Sequence, residues 1–135
     1  MGIGKTLFQF ALTFKNDAWG IEKSHMHYQV AEIALENLEK DSKYGALKDK
    51  IHLIEGDFVK SPTFPDASII LINAMMLHPK ELSSVLNVVL ENAQPNLRVI
   101  SLGKPLEFGE GIVSKKKRNV CDRRKHYHEF FEIGK

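Results

Sequence analysis

Four polar residues each follow a short apolar run: Glu22, Asp57, Asn73 and Lys104. A carboxylate so placed can accept hydrogen bonds from paired ribose hydroxyls or from a ring amino group. Glu22 suits the first role and Asp57 the second, with Phe58 beside it to pack on an aromatic base. Asn73 would face the reacting end of such a ligand. The chain opens Met1-Gly2-Ile3-Gly4-Lys5-Thr6, and glycines let backbone approach a ligand closely. His25 and His27, two apart on a helix, point in different directions and make no metal pair. His126 and His128 share a strand face and offer a zinc site with Cys121; a carboxyl-terminal aromatic strand explains them equally, and no metal is expected. Met75 and Met76 read as core filler.

These residues need elements to present them. Leu7, Phe8, Ala11, Leu12 and Phe14 recur at three- and four-residue steps, a helical period. Asn16-Asp17 breaks that period, and 18–21 reads as a strand ending at Glu22. Ser24 is an N-cap for a helix whose apolar stripe is Val30, Ala31, Ala34, Leu35 and Leu38, with Gly45 as its stop. The run 51–54 is a strand ending in Glu55-Gly56-Asp57-Phe58, and Pro62 and Pro65 mark the loop after it. The run 68–72 is continuously apolar, which suits a strand buried on both faces. Pro79 opens a helix with Leu82, Val85, Leu86, Val89 and Leu90 on one side. Strands at 97–102 and 126–133 follow, the former ended by Gly103-Lys104-Pro105. Such alternation predicts an α/β fold with a mostly parallel sheet. Ligands of these sheets sit beyond the carboxyl ends of the strands, where the four polar residues fall.

Three readings compete for the glycine start. Gly4-Lys5-Thr6 matches the tail of a P-loop, but its first glycine would fall before Met1 and Ile72 runs into Asn73, not a magnesium-holding Asp. Gly2-Ile3-Gly4 supplies two glycines of a dinucleotide fingerprint with Glu22 near the ribose position, but Leu7 replaces the third and would obstruct close helix–strand packing. An S-adenosylmethionine site asks for a carboxylate at the ribose, then an acceptor and an aromatic for adenine. Glu22, Asp57 and Phe58 fill those places, and Asn73 then faces the methionine end and the methyl group.

The runs Gly2-Ile3-Gly4, Gly20-Ile21-Glu22-Lys23, Gly56-Asp57-Phe58, Ile72-Asn73 and Ser101-Leu102-Gly103-Lys104-Pro105 resemble class I methyltransferases. More narrowly they resemble the non-SET histone lysine methyltransferases of the disruptor-of-telomeric-silencing type, over residues 2 to 106. The resemblance implies a Rossmann-like sheet with flanking helices, and S-adenosylmethionine as cofactor. Gly2 and Gly4 would line its methionine part, Glu22 would bind the ribose, and Asp57 with Phe58 would hold adenine. Asn73 would sit beside the reacting methyl and the lysine channel, as the catalytic residue. The implied reaction is in-line attack by a neutral lysine amine on the sulfonium methyl, resting mainly on positioning. In that family a first strand and a further glycine precede the position of Gly2, so the central first strand is expected to be missing here. On that expectation 1–111 is a partial methyltransferase domain and 112–135 a basic segment, the terminal hairpin of the same domain. A non-catalytic remnant or nucleotide-binding interaction module of the same fold is the alternative, and an NAD(P)-dependent oxidoreductase the next.

Composition bounds the rest. The chain has 135 residues, 43% hydrophobic and 27% charged, the balance of one globular domain and not of a disordered segment. Its longest apolar run, 69–72, is far too short for a bilayer span, so no membrane contact is expected. One cysteine, Cys121, makes no internal disulfide, which favours a reducing intracellular compartment: the nucleus in a eukaryote, the cytoplasm otherwise. The net charge of +2 hides an asymmetry, since 112–135 carries eight Lys or Arg against three acids. Lys115, Lys116, Lys117, Arg118, Arg123, Arg124 and Lys125 could neutralise phosphates, giving non-specific nucleic-acid contact beside a protein substrate such as a histone. A solvated hairpin accounts for them equally.

Overall fold

The computed structural model describes residues 1–60, 62, 66–104 and 106, with the backbone of Val113–Lys117 and His128–Ile133. The chain divides into two compact units, Met1–Thr63 and Phe64–Lys135.

The first unit runs α1 (Lys5–Phe14), β1 (Ala18–Glu22), α2 (His25–Glu39), a 3-10 turn (Gly45–Lys50) and β2 (Ile51–Glu55). β1 and β2 pair in parallel from Ala18 opposite Ile51 to Glu22 opposite Glu55. Parallel neighbours need a crossover, and α2 supplies it. The core is Ala11, Ala18 and Ile51, with Leu7, Phe8, Phe10, Leu35, Leu38 and Leu53 packed against it. Trp19 and His52, opposite each other in the register, stack at 4.0 Å between ring centroids. Phe14, expected on the apolar stripe of α1, is exposed, with its ring centroid 4.9 Å from that of Phe10.

Two expectations for α2 change. Its inward side is Ala31, fully buried, with Tyr28, Leu35 and Leu38 half-buried, whereas Val30 and Ala34 face solvent. A helical period gives the spacing of a stripe but not the edge at which packing stops. α2 also stops before Gly45, with Lys40 as its C-cap. The Asp41 carboxylate accepts from the Lys43 and Tyr44 amides, a local turn that competes with helix. Gly45 opens the 3-10 turn instead, where a Cβ would collide with the Glu39 carbonyl.

The second unit runs β3 (Ile69–Asn73), α3 (Pro79–Asn92), β4 (Arg98–Leu102), β5 (Val113–Lys117) and β6 (His128–Ile133), in sheet order β3-β4-β6-β5. β3 and β4 are parallel, and β6 runs antiparallel to both β4 and β5. Of the expected last strand, His128–Ile133 is β6 and 126–127 lie outside the described residues, and β5 is a strand that periodicity did not reveal. Lys115, Lys116 and Lys117 lie in β5, while Arg118, Cys121, Arg123, Arg124, Lys125 and His126 lie outside the described residues. α3 turns Leu82, Leu86 and Val89 inward, as its spacing predicts. Its start is fixed by Pro79 and by Glu81, whose carboxylate accepts from the His78 amide at 2.9 Å.

β3 is not buried on both faces. Ile72 is 7% exposed, but Ile69 and Leu71 are 43% and 42% exposed. Alternate residues of a strand face opposite ways, so one face is covered and the other bare. Ile72→Ala is accordingly expected to cost about 2–4 kcal/mol, and Leu71→Ala well under about 1 kcal/mol, in urea melts. Equal costs would restore the two-faced burial.

Candidate functional site

β1 delivers Glu22 to its carboxyl end, and the chain start folds over it. Glu22 Oε2 accepts from the Gly2 amide at 2.5 Å and lies 3.3 Å from the Met1 nitrogen. Oε1 accepts from the Ser24 amide at 2.8 Å. The Met1 nitrogen also donates to the Ile21 carbonyl at 3.0 Å. Burial pushes the Glu22 carboxyl up, but the Ser24 and Gly2 amides and the Met1 nitrogen outweigh it and hold the group below its ordinary value.

The glycines divide by what they face. Gly4 has φ +81° and is buried, and a Cβ there would lie 2.7 Å from the Phe8 ring and 3.3 Å from the Ala31 Cβ. Gly4 is therefore demanded by packing between the start of α1 and α2. Gly2 has φ +62°, yet nothing lies within 4 Å of its missing Cβ, so its side is open. Gly56 is open in the same way. The obstruction expected from Leu7 does not arise. A Cβ on Gly20 would run into Leu7 and Met1, so the strand supplies the small residue that the helix lacks.

β2 ends beside this group. The Gly56 amide donates to the Glu22 carbonyl at 2.9 Å, continuing the parallel ladder one residue beyond β2. Asp57 follows, with Oδ2 3.1 Å from Lys23 Nζ and Oδ1 accepting from the Val59 amide at 3.1 Å. Lys23 first, and then the Val59 amide, hold the Asp57 carboxyl below its ordinary value. Phe58 is half-buried. His25 and His27 diverge: His25 Nδ1 lies 2.8 Å from Glu55, and His27 Nδ1 3.9 Å from Glu22. Lys23, His25 and His27 ring the site, and only Lys23 had a signal, inside the Gly-Ile-Glu-Lys run.

Glu22, Gly2 and the Gly56–Phe58 corner thus come together in the first unit. Asn73 belongs to the second unit, at the end of β3, where it is exposed and its Oδ1 accepts from the Met75 amide at 3.3 Å. Met75 and Met76 are not core filler, being 50% and 92% exposed, because the turn after β3 carries them outward. Lys104, past β4, is half-buried and donates to the Leu77 carbonyl. A groove of about 470 Å³ along α2 and β2, between Glu32, Leu35, Glu36, Ile51 and His52, is lined by none of the expected cofactor residues. Among the described residues no three His, Cys, Asp or Glu converge as a metal would require. No described helix is long and apolar enough to cross a membrane.

Comparison with known proteins gives this arrangement a family. The family described as Histone methylation protein DOT1 matches residues 1–131. No curated protein matches the chain. Among solved structures, the chain is similar to an RNA methyltransferase from Salinibacter ruber in complex with S-adenosyl-L-homocysteine, with 17% identity and a TM-score of 0.68 over 99% of this chain and 76% of that one. It is similar to the glycopeptide N-methyltransferase MtfA complexed with S-adenosylmethionine, with 17% identity and a TM-score of 0.61 over 98% of this chain and 56% of that one. It is also similar to the apo S-adenosylmethionine-dependent methyltransferase SibL, with 9% identity and a TM-score of 0.73 over 99% of this chain and 48% of that one. The chain thus spans about half the length of the last two. At these identities the likeness establishes a Rossmann-like α/β fold shared with methyltransferases. With nearly the whole chain matched, the chain belongs to the histone methylation protein DOT1 family.

Proposed function

We propose that this chain binds S-adenosylmethionine at the carboxyl ends of β1 and β2 and serves methylation of lysine on a protein substrate, a histone by its family. The observation that carries the reading is the pairing of Glu22 with open backbone at Gly2 and Gly56. Those residues fit the cofactor. A carboxylate has about four acceptor sites, and Glu22 uses up to three on backbone nitrogens, the longest being Met1 at 3.3 Å. Glu22 would hold the ribose hydroxyls through the acceptor capacity that remains. Asp57 would accept from the adenine amino group, and Phe58 would pack on the ring. The cofactor supplies a sulfonium methyl group that is already electrophilic. By the resemblance of its motif, Asn73 would be the residue that orients groups for transfer, so the chain's contribution would be positioning. On this reading the protein works where histones are, in the nucleus.

Isothermal calorimetry with S-adenosylmethionine and with NAD, followed by transfer of labelled methyl to purified core histones, tests the proposal. Saturable binding of the first alone, with label on histone lysines, is the expected result. Binding of NAD, or of neither, overturns it.

A further inference from the structure

The turn that carries Asn73 is weakly built from its own residues. It closes through the Leu77 amide on the Ala74 carbonyl at 3.3 Å and the Met75 amide on Asn73 Oδ1 at 3.3 Å. Both are long against the usual 2.9–3.0 Å. Packing holds Ala74, which is buried, but does less for the rest, since Met76 is 92% exposed and Met75 half exposed. The strong ties come from the end of β4 and the segment after it. The Ala74 amide donates to the Leu102 carbonyl at 2.9 Å. Lys104 Nζ donates to the Leu77 carbonyl at 2.6 Å, a charge-assisted bond from a partly buried ammonium. Gly103, at φ +90°, leaves the space that Met75 fills. Ser101, fully buried, donates Oγ to the Lys104 carbonyl at 2.6 Å and so bends the chain to send the lysine back.

We propose that Lys104 is a positioning residue for Asn73, a clamp whose ammonium fixes the far end of the 74–77 turn and thereby sets the carboxamide direction at its near end. The clamp deepens the methyltransferase reading and rests on it for its catalytic consequence. A lysine serves here because it reaches across with a charge and a donor, where a neutral side chain of that length supplies neither.

The test uses the full chain with Lys104→Met, which keeps the length without the donor, and Lys104→Arg, which restores a donor. Amide exchange at Met75 and Leu77 should quicken by about tenfold or more in Lys104→Met, with core amides of β4 unchanged. With labelled S-adenosylmethionine and purified core histones, kcat should fall roughly tenfold to a hundredfold while KM for S-adenosylmethionine stays within about twofold. Lys104→Arg should recover most of both losses. Unchanged exchange at Met75 and Leu77 in Lys104→Met overturns the clamp. So does a uniform quickening of exchange that Lys104→Arg fails to reverse, which would mark an ordinary structural lysine. If the wild type neither binds S-adenosylmethionine nor transfers methyl, the proposed function fails, and the exchange comparison alone still decides the clamp.

Discussion

Replacing Glu22 by Gln is expected to weaken S-adenosylmethionine binding by about ten- to a hundredfold, the loss of a charge-assisted bond of about 1.5–3 kcal/mol. Gln keeps the size but offers one acceptor oxygen, and that oxygen is contested by the Gly2 and Ser24 amides. On the proposed reading the ribose hydroxyls would therefore be the donors left without a partner. The same substitution has a signature in the pH dependence of stability. The folded carboxyl titrates below its ordinary value, with burial opposing and the backbone amides prevailing. Its stabilisation is complete above the unfolded value and is lost as pH falls through the folded one. Glu22→Gln should remove that part of the acid limb of thermal melts. Calorimetry and melts on the same samples separate the two effects. An unchanged affinity in a folded variant takes Glu22 out of the cofactor site.

Gly4→Ala is expected to destabilise the first unit by about 2–4 kcal/mol against a typical domain stability of about 5–15 kcal/mol. Two costs combine. An alanine at φ +81° sits in the left-handed region, and its methyl meets the Phe8 ring and Ala31. Gly2→Ala is the control, because φ +62° imposes a similar backbone cost but nothing lies within 4 Å. Gly2→Ala should cost about 1 kcal/mol in urea melts and act mainly on cofactor affinity. Similar destabilisation by both would mean that packing against Phe8 and Ala31 does not set the requirement at Gly4.

The two glycines, five and three residues from Leu7 and identical in type, show where reading residues in order stops. That Gly2 and Gly4 belong to a tight turn before a helix is local information, since φ above zero is cheap only for glycine. So are the strand ends at Glu22, Glu55 and Asn73, because apolar runs stop there, and the inward side of α3, because Leu82, Leu86 and Val89 repeat with the helical period. Family membership was legible for the same reason: its motifs are short runs at strand ends. What each side chain meets was not local. Leu7 packs beside β1 because Gly20, thirteen residues on, has no side chain. Val30 and Ala34 turn to solvent because packing on β2 stops short of them. Ile69 and Leu71 are bare because apolar residues are tolerated at a surface when nothing covers them. Lys104 holds the Asn73 turn across 27 residues. Periodicity reports the direction of a side chain along its own element, and its neighbour is set only when distant elements pack.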